Sequence, residues 1–182
     1  MNIKIPAFLN IRNEANKRSD FKGIISKENF KRFPLDTVKS INTDAEVELS
    51  CTFDFTNKAI AKGTAKINVT STCMRCMEDF TYDVIAEFTL SPVANEEQAD
   101  ALPQEYSPLL INEYGEVNIV EGVEEELIMN IALTPKHPNE SCNPFLDQEE
   151  DFLEDEEVNQ EQVTLENNPF SALSQLKGKL KK

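Results

Sequence analysis

One histidine, five glycines and four cysteines are spread over 182 residues, and each scarcity argues against a class of chemistry. With so few glycines there is no Gly-rich loop to cradle a phosphate. A Ser/His/Asp hydrolase would have to use His137, which sits in a Pro-flanked loop with no nucleophile elbow beside it. Four cysteines in a chain of this size do not make a disulfide scaffold, so a reduced, cytoplasmic setting is expected. No apolar run approaches the roughly 18 residues that a membrane helix needs. The N-terminal stretch MNIKIPAFLNIRNEANKR lacks a continuous apolar core and carries Glu14, so it reads poorly as a signal peptide.

What the chain has in excess is segregated charge. The formal net charge is −15. Residues 1–40 nevertheless hold nine Lys/Arg against four Asp/Glu, a net of +5. Residues 95–166 hold one Lys against 21 Asp/Glu, a net of −20, and the last six residues add four lysines. The total argues against indiscriminate nucleic-acid binding, while a local basic patch can still meet phosphates. The candidates for phosphate contact are Lys22, Lys27, Lys31, Arg32 and Arg75. For any single lysine the plainer alternative is a solvated helical face.

The strongest periodicity lies in three stretches of period two. Val47, Leu49, Cys51, Phe53 and Phe55 alternate with polar residues, then Ala65, Ile67, Val69 and Ser71, then Phe80, Tyr82, Val84, Ala86, Phe88 and Leu90. Such alternation predicts half-buried antiparallel strands. Ile85 breaks the pattern, and Asn57-Lys58 turns the first pair. Ahead of these strands the sequence predicts a short helix over 6–18 with Pro6 in its first turn, an extended DFKGIIS at 20–26, and a helix capped by Ser26 and stopped by Pro34. After them, residues 91–107 read as a loop and Leu109–Ile111 as a short strand. Asn118 and Glu121 have capping-box spacing ahead of an amphipathic helix through Val123, Leu127 and Ile131, ended by Pro135. The run Glu124-Glu125-Glu126 reads as its solvated face, and Gly122 weakens the helix by about 1 kcal/mol relative to Ala.

Chemistry concentrates in CMRC at the turn between the second and third strands. Cys73 and Cys76 form a CxxC pair, and His137 and Cys142 follow with H-x4-C spacing. Thiolates and imidazole in two such pairs are how closed, tetrahedral structural zinc sites are built. Reduced thiols at a hairpin tip, with His137 on an unrelated loop, are the plain alternative. A thioredoxin-like redox pair would want its CxxC at a helix N-terminus after a strand, a poor match to antiparallel strands. Cys51 belongs to the apolar phase of its strand and reads as a core cysteine.

Several segments, in order, resemble the YceD family, whose members are described as large ribosomal RNA subunit accumulation proteins. They are DFKGIIS, CMRCMEDF, the SPV of 91–93, INEYGEVNIVEGVEEELIMNIALTPKHPNESC, and NPFSALSQLK near the end. The resemblance runs from about Lys4 to Lys179. It implies a cytoplasmic, non-enzymatic factor acting on 23S ribosomal RNA or a pre-large-subunit particle. It carries over no catalytic residue, and picks out Cys73, Arg75, Cys76, His137, Cys142, Asn168, Pro169 and Phe170. Met77 and Gly122 stand where the family pattern leads one to expect larger aliphatic residues.

The expected architecture is α+β: an antiparallel, mostly β domain over residues 1–147 with an amphipathic helix packed on the sheet. An acidic disordered linker follows at 148–166, then a short helical motif with a basic tail at 167–182. Asn168, Pro169, Phe170, Leu173 and Leu176 of that motif are the expected partner-binding residues. The expected cofactor is at most one structural zinc, on Cys73, Cys76, His137 and Cys142. The expected role is promotion of large-subunit ribosomal RNA processing, stability or accumulation by binding that RNA or a pre-large-subunit particle. The alternative is an acidic adaptor that binds a ribosomal protein or other basic partner without touching RNA.

Overall fold

Alternating apolar residues build a sheet with one dry face. The structure, a computed structural model, describes residues 4–33 and 36–142. The chain divides into two units, Met1–Asn139 and Glu140–Lys182. Of the second unit, the turn Glu140–Cys142 falls among the described residues. The expected linker at 148–166 and the motif at 167–182 lie outside them.

The first unit is α+β and dominated by strands. In chain order they are β1 (Phe8–Leu9), β2 (Asp20–Ile25), β3 (Ser40–Ile41), β4 (Ala45–Phe53), β5 (Ala59–Thr72), β6 (Asp79–Val93), β7 (Ser107–Leu110) and β8 (Val117–Asn118). The helices are α1 (Ile11–Lys17), α2 (Glu96–Asp100) and α3 (Ile119–Met129). The main sheet has the order β2-β4-β5-β6-β7, with β3 also paired to β5, and β1 and β8 form a separate two-stranded ribbon. The long hairpin β5–β6 is in register from Ala61↔Leu90 to Thr72↔Asp79.

Every residue of the apolar phase from Val47 to Cys51 on β4, from Ala65 to Val69 on β5 and from Val84 to Leu90 on β6 is buried. Against that face pack α1, through Ile11 and Ala15, and α3, through Ile119, Val123 and Leu127. Each such aliphatic side chain contributes roughly 1.5–3 kcal/mol by leaving water. Ile85, the exception to the alternation, is 56 % exposed on the polar face.

The sheet is tightest at Gly63, paired with Leu49 on one side and Phe88 on the other. A Cβ there would stand 2.4 Å from the Glu48 carbonyl oxygen and 2.7 Å from Leu49 Cδ2. Only a residue without a side chain lets the three strands close up at this point. Gly122 is a milder case, since its Cβ would meet the Leu109 side chain at 2.9 Å. The larger aliphatic residue expected at 122 has no room, because α3 lies directly on β7 there.

Several local expectations are corrected. The first helix starts at Ile11 rather than near Pro6, because the Asn10 side chain accepts the Asn13 N–H at 3.0 Å and sets the start there. Ser26 caps no helix: Lys27–Asn29 is a single 3-10 turn, and the Lys27 N–H goes instead to the Asp44 carboxylate at 3.0 Å. The stretch 91–107 is not all loop, since β6 continues to Val93 and α2 follows. The reason is topological. β7 pairs with β6 in parallel, and a parallel return needs a crossover of about a dozen residues, here containing α2. The third helix stops at Met129, capped at Asn130, before Pro135 is reached.

The acidic run on α3 also departs from a solvated face. Glu125 is half-buried, Glu124 and Glu126 are buried, and the Glu124 carboxylate accepts the backbone N–H of Arg32 at 2.6 Å.

Gly63→Ala should be destabilising by about 2–3 kcal/mol in urea unfolding, because a backbone oxygen cannot give way. Gly122→Ala should be close to neutral, with about 1 kcal/mol of helix propensity set against displacement of a flexible leucine. Equal losses at the two positions would refute this account of the sheet.

Candidate metal centre

The turn between β5 and β6 is held by its own backbone. The Cys73 N–H donates to the Glu78 carbonyl at 2.8 Å and the Met77 N–H to the Cys73 carbonyl at 2.9 Å. Met77 closes the turn with φ of 64°, in the left-handed region, and is exposed. A β-branched side chain is strained in that conformation, so an unbranched methionine suits the position better than a branched aliphatic residue.

The loop after α3 comes back to this tip. The Pro135 carbonyl accepts the Met74 N–H at 2.8 Å, and the Asn139 carbonyl accepts the Arg75 Nη1 at 2.9 Å. The two contacts flank His137 and bring its ring to the cysteines. Cys76 Sγ lies 3.3 Å from His137 Nδ1. The ring leans on Phe80 with centroids 4.7 Å apart, and Phe80 in turn stacks on Tyr82. Within the first unit, the donor atoms of Cys73, Cys76 and His137 lie within 4.8 Å of one another. Around a tetrahedral zinc, two thiolates stand about 3.8 Å apart and a thiolate and an imidazole about 3.6 Å apart. This is a cysteine–histidine cluster that could hold a metal ion.

The surroundings favour thiolate over thiol. Cys73 is fully buried, and burial by itself raises its pKa. Opposing it are the N–H groups of Cys76, His137 and Arg75, together with the Cys76 thiol, all directed at the Cys73 sulfur. Two of those amides, from Arg75 and His137, lie at 3.4 Å. The hydrogen bonds win, and the Cys73 thiol is lowered to about 5. Cys51 is the contrast. Burial in the sheet, with Glu14 and Asp20 nearby, pushes its thiol up to about 11 and leaves it an inert core residue. The CxxC joins antiparallel strands and does not sit at a helix N-terminus, so the setting of a thioredoxin-like redox pair is not formed.

The other candidate residues are placed as follows. Cys142 closes the turn Glu140–Cys142 of the second unit. Lys22 lies on β2 in an ion pair with Glu48. Lys27 directs its ammonium to the Ile41 carbonyl at 3.5 Å. Lys31 is exposed. Arg32 holds the Glu125 carboxylate at 2.5 Å, with Glu121 at 3.9 Å. Arg75 lies at the hairpin tip, Lys31 and Arg32 are neighbours in the loop after the 3-10 turn that carries Lys27, and Lys22 and Arg32 are paired with carboxylates. Asn168, Pro169, Phe170, Leu173 and Leu176 lie outside the described residues. The sequence reading missed Phe80 and Pro135 as parts of the site. Phe80 read only as the core phase of a strand, and nothing in the pattern aimed it at a histidine 57 positions on.

The whole set of segments carrying this geometry has known counterparts. Residues 61–177 match the family model described as Large ribosomal RNA subunit accumulation protein YceD. The chain is also 36 % identical over 177 residues to the Large ribosomal RNA subunit accumulation protein YceD of Haemophilus influenzae, covering 97 % of this chain and 98 % of that one. The chain belongs to the YceD family. No solved structure matches it. The matched residues of the YceD model span Cys73, Cys76, His137 and Cys142, so the cluster falls wholly inside the family region.

Cys73→Ser, Cys76→Ser and His137→Ala should each lower the metal content of the purified protein, read by elemental mass spectrometry, whereas Cys51→Ala should leave it unchanged. Equal metal content in all four variants would remove the cluster as the binding site.

Proposed function

We propose that this YceD protein is a cytoplasmic, non-enzymatic ribosome-biogenesis factor that promotes processing, stability or accumulation of 23S ribosomal RNA. It acts by binding that RNA or a pre-large-subunit particle. The observation that carries the reading is likeness over nearly the full length to a relative named for large ribosomal RNA subunit accumulation. In this reading Lys22, Lys27, Lys31, Arg32 and Arg75 meet phosphates, and the acidic residues that follow limit non-specific contact. The last segment, through Asn168, Pro169, Phe170, Leu173 and Leu176, binds a protein partner.

The cluster's role here is structural. Cys73, Cys76 and His137 supply three ligands for a Zn2+, and Cys142 supplies the fourth. Four protein ligands leave no open position for a reacting water. When bound, the ion would pin the loop after α3 to the hairpin tip.

A second reading is favoured by the ion pairs. Lys22 and Arg32 already face Glu48 and Glu125, so two of the five candidate cations are answered within the chain, and an adaptor that binds a basic ribosomal protein accounts for this. Ultraviolet crosslinking in the protein's own cells separates the two. Enrichment of one large-subunit RNA region supports direct contact, and RNA affinity should then fall with salt at a slope of about −0.9 per phosphate neutralised on duplex and −0.7 on single strands. Background RNA with crosslinked ribosomal proteins supports the adaptor.

Chelation should test the zinc assignment. If the site is structural, stripping the ion should cost several kcal/mol and lower the melting temperature by roughly 10 °C, with recovery on adding Zn2+. A melting curve unchanged by chelation of metal-loaded protein would rule out the structural role.

A further inference from the structure

The sixty residues between Arg75 and Lys136 contain no Lys or Arg and fourteen Asp/Glu. They build β6, α2, β7, β8 and α3, one contiguous side of the first unit. Cations from other elements answer part of this charge: Lys39 pairs with Asp79, Lys66 with Asp83, and Arg32 with Glu125. At the α3–β7 corner a single guanidinium, that of Arg32, serves two carboxylates, Glu121 and Glu125.

That corner also presents apolar side chains to solvent. β7 is the last strand of its sheet and, among the described residues, pairs only with β6. Leu110 on β7 is 60 % exposed and Phe8 on β1 is 53 % exposed. A shallow groove of about 220 Å3 runs between β7 and the start of α3, lined by Pro108, Leu109, Leu110, Asn118, Glu121 and Glu125. Phe8 stands opposite Asn118 in the β1–β8 pairing and so flanks it. An exposed strand edge with an aliphatic floor is a template for an incoming extended segment. The carboxylates of Glu121 and Glu125 on the rim set the sign of what fits. The protein supplies its own demonstration, since the Arg32 guanidinium already sits on those two carboxylates.

We propose that the β7–α3 groove is a docking site for an extended, lysine- or arginine-rich peptide segment of a partner protein. An aliphatic residue of that segment lies on Leu110 and Pro108, and its cations engage Glu121 and Glu125. The site does not rest on RNA contact. Crosslinking to ribosomal RNA can fail while the peptide binds, and the reverse, so the two readings fail separately.

The test uses the full chain and a fluorescent synthetic peptide alternating lysine and valine, with an all-lysine peptide and a glutamate–valine peptide as comparators. Fluorescence anisotropy should rank lysine–valine first and glutamate–valine last. Leu110→Asp and the pair Glu121→Gln with Glu125→Gln should each weaken binding about tenfold. Leu110 is exposed, so its variant should keep the wild-type melting temperature. Arg32→Ala, which frees both rim carboxylates, should tighten peptide binding, whereas loss of a phosphate contact would loosen RNA. Amide hydrogen exchange at Ser107–Leu110 should slow when the peptide is added. Affinity unchanged in the groove variants would show that the peptide is held by acidic charge elsewhere, and overturns the proposal. A dimer in sedimentation that Leu110→Asp dissolves would make the corner a contact between copies, and overturns it too.

Discussion

A one-residue slip in the pairing of β5 with β6 would turn the core residues of the slipped strand to water and disturb the hairpin tip that holds Cys73 and Cys76 beside His137. The twelve residue pairs from Ala61↔Leu90 to Thr72↔Asp79 therefore support both the fold and the site. Gly63 locks that register from one end, because it is the one position in the row where Glu48, Leu49 and Phe88 can close in. The hydrogen-bonded turn from Cys73 to Glu78 locks it from the other. Packing by α1 and α3 then seals a face whose pattern is already decided.

Much of this was legible before any coordinates. Period-two alternation announced β4, β5 and β6 because one face meets the core and the other meets water, and side chains on a strand report that directly. The CxxC at a turn and the later histidine announced a cysteine–histidine cluster that could hold a metal ion. What stayed illegible depended on partners distant in sequence. Nothing near Glu124 says that its carboxylate is buried against the Arg32 amide. No local pattern separates a loop from a parallel crossover, so α2 was missed. The exact fit of Gly122 on Leu109 belongs to a contact between a helix and a strand, and propensity alone assigned it only a penalty. The basic residues near the N-terminus read as one patch, and no local pattern shows that the distribution of carboxylates in the fold gives Arg32 and Lys22 acidic neighbours.

The same distribution makes the unit electrically two-sided. Elements before the CxxC turn carry most of its cations, and those after it carry carboxylates almost alone. Ion pairs such as Lys39–Asp79 and Lys66–Asp83 stitch the sides together where they meet. At exposed positions such pairs contribute little stability, typically below about 1 kcal/mol each. Their more useful effect is on partner choice, because a charge already answered is less available to a phosphate or to another protein.

The meeting of Cys76 with His137 has a further consequence for the unfolded chain. The two residues are 61 positions apart. Any link that holds them together closes a loop containing the whole of β6, α2, β7, β8 and α3. By the chain-entropy estimate used for crosslinks, closing a loop of that length removes freedom from the denatured ensemble worth roughly 4 kcal/mol. A tie at the hairpin tip therefore acts on the half of the domain that has the most mutual charge repulsion, and acts mainly by restricting the states that half can escape into.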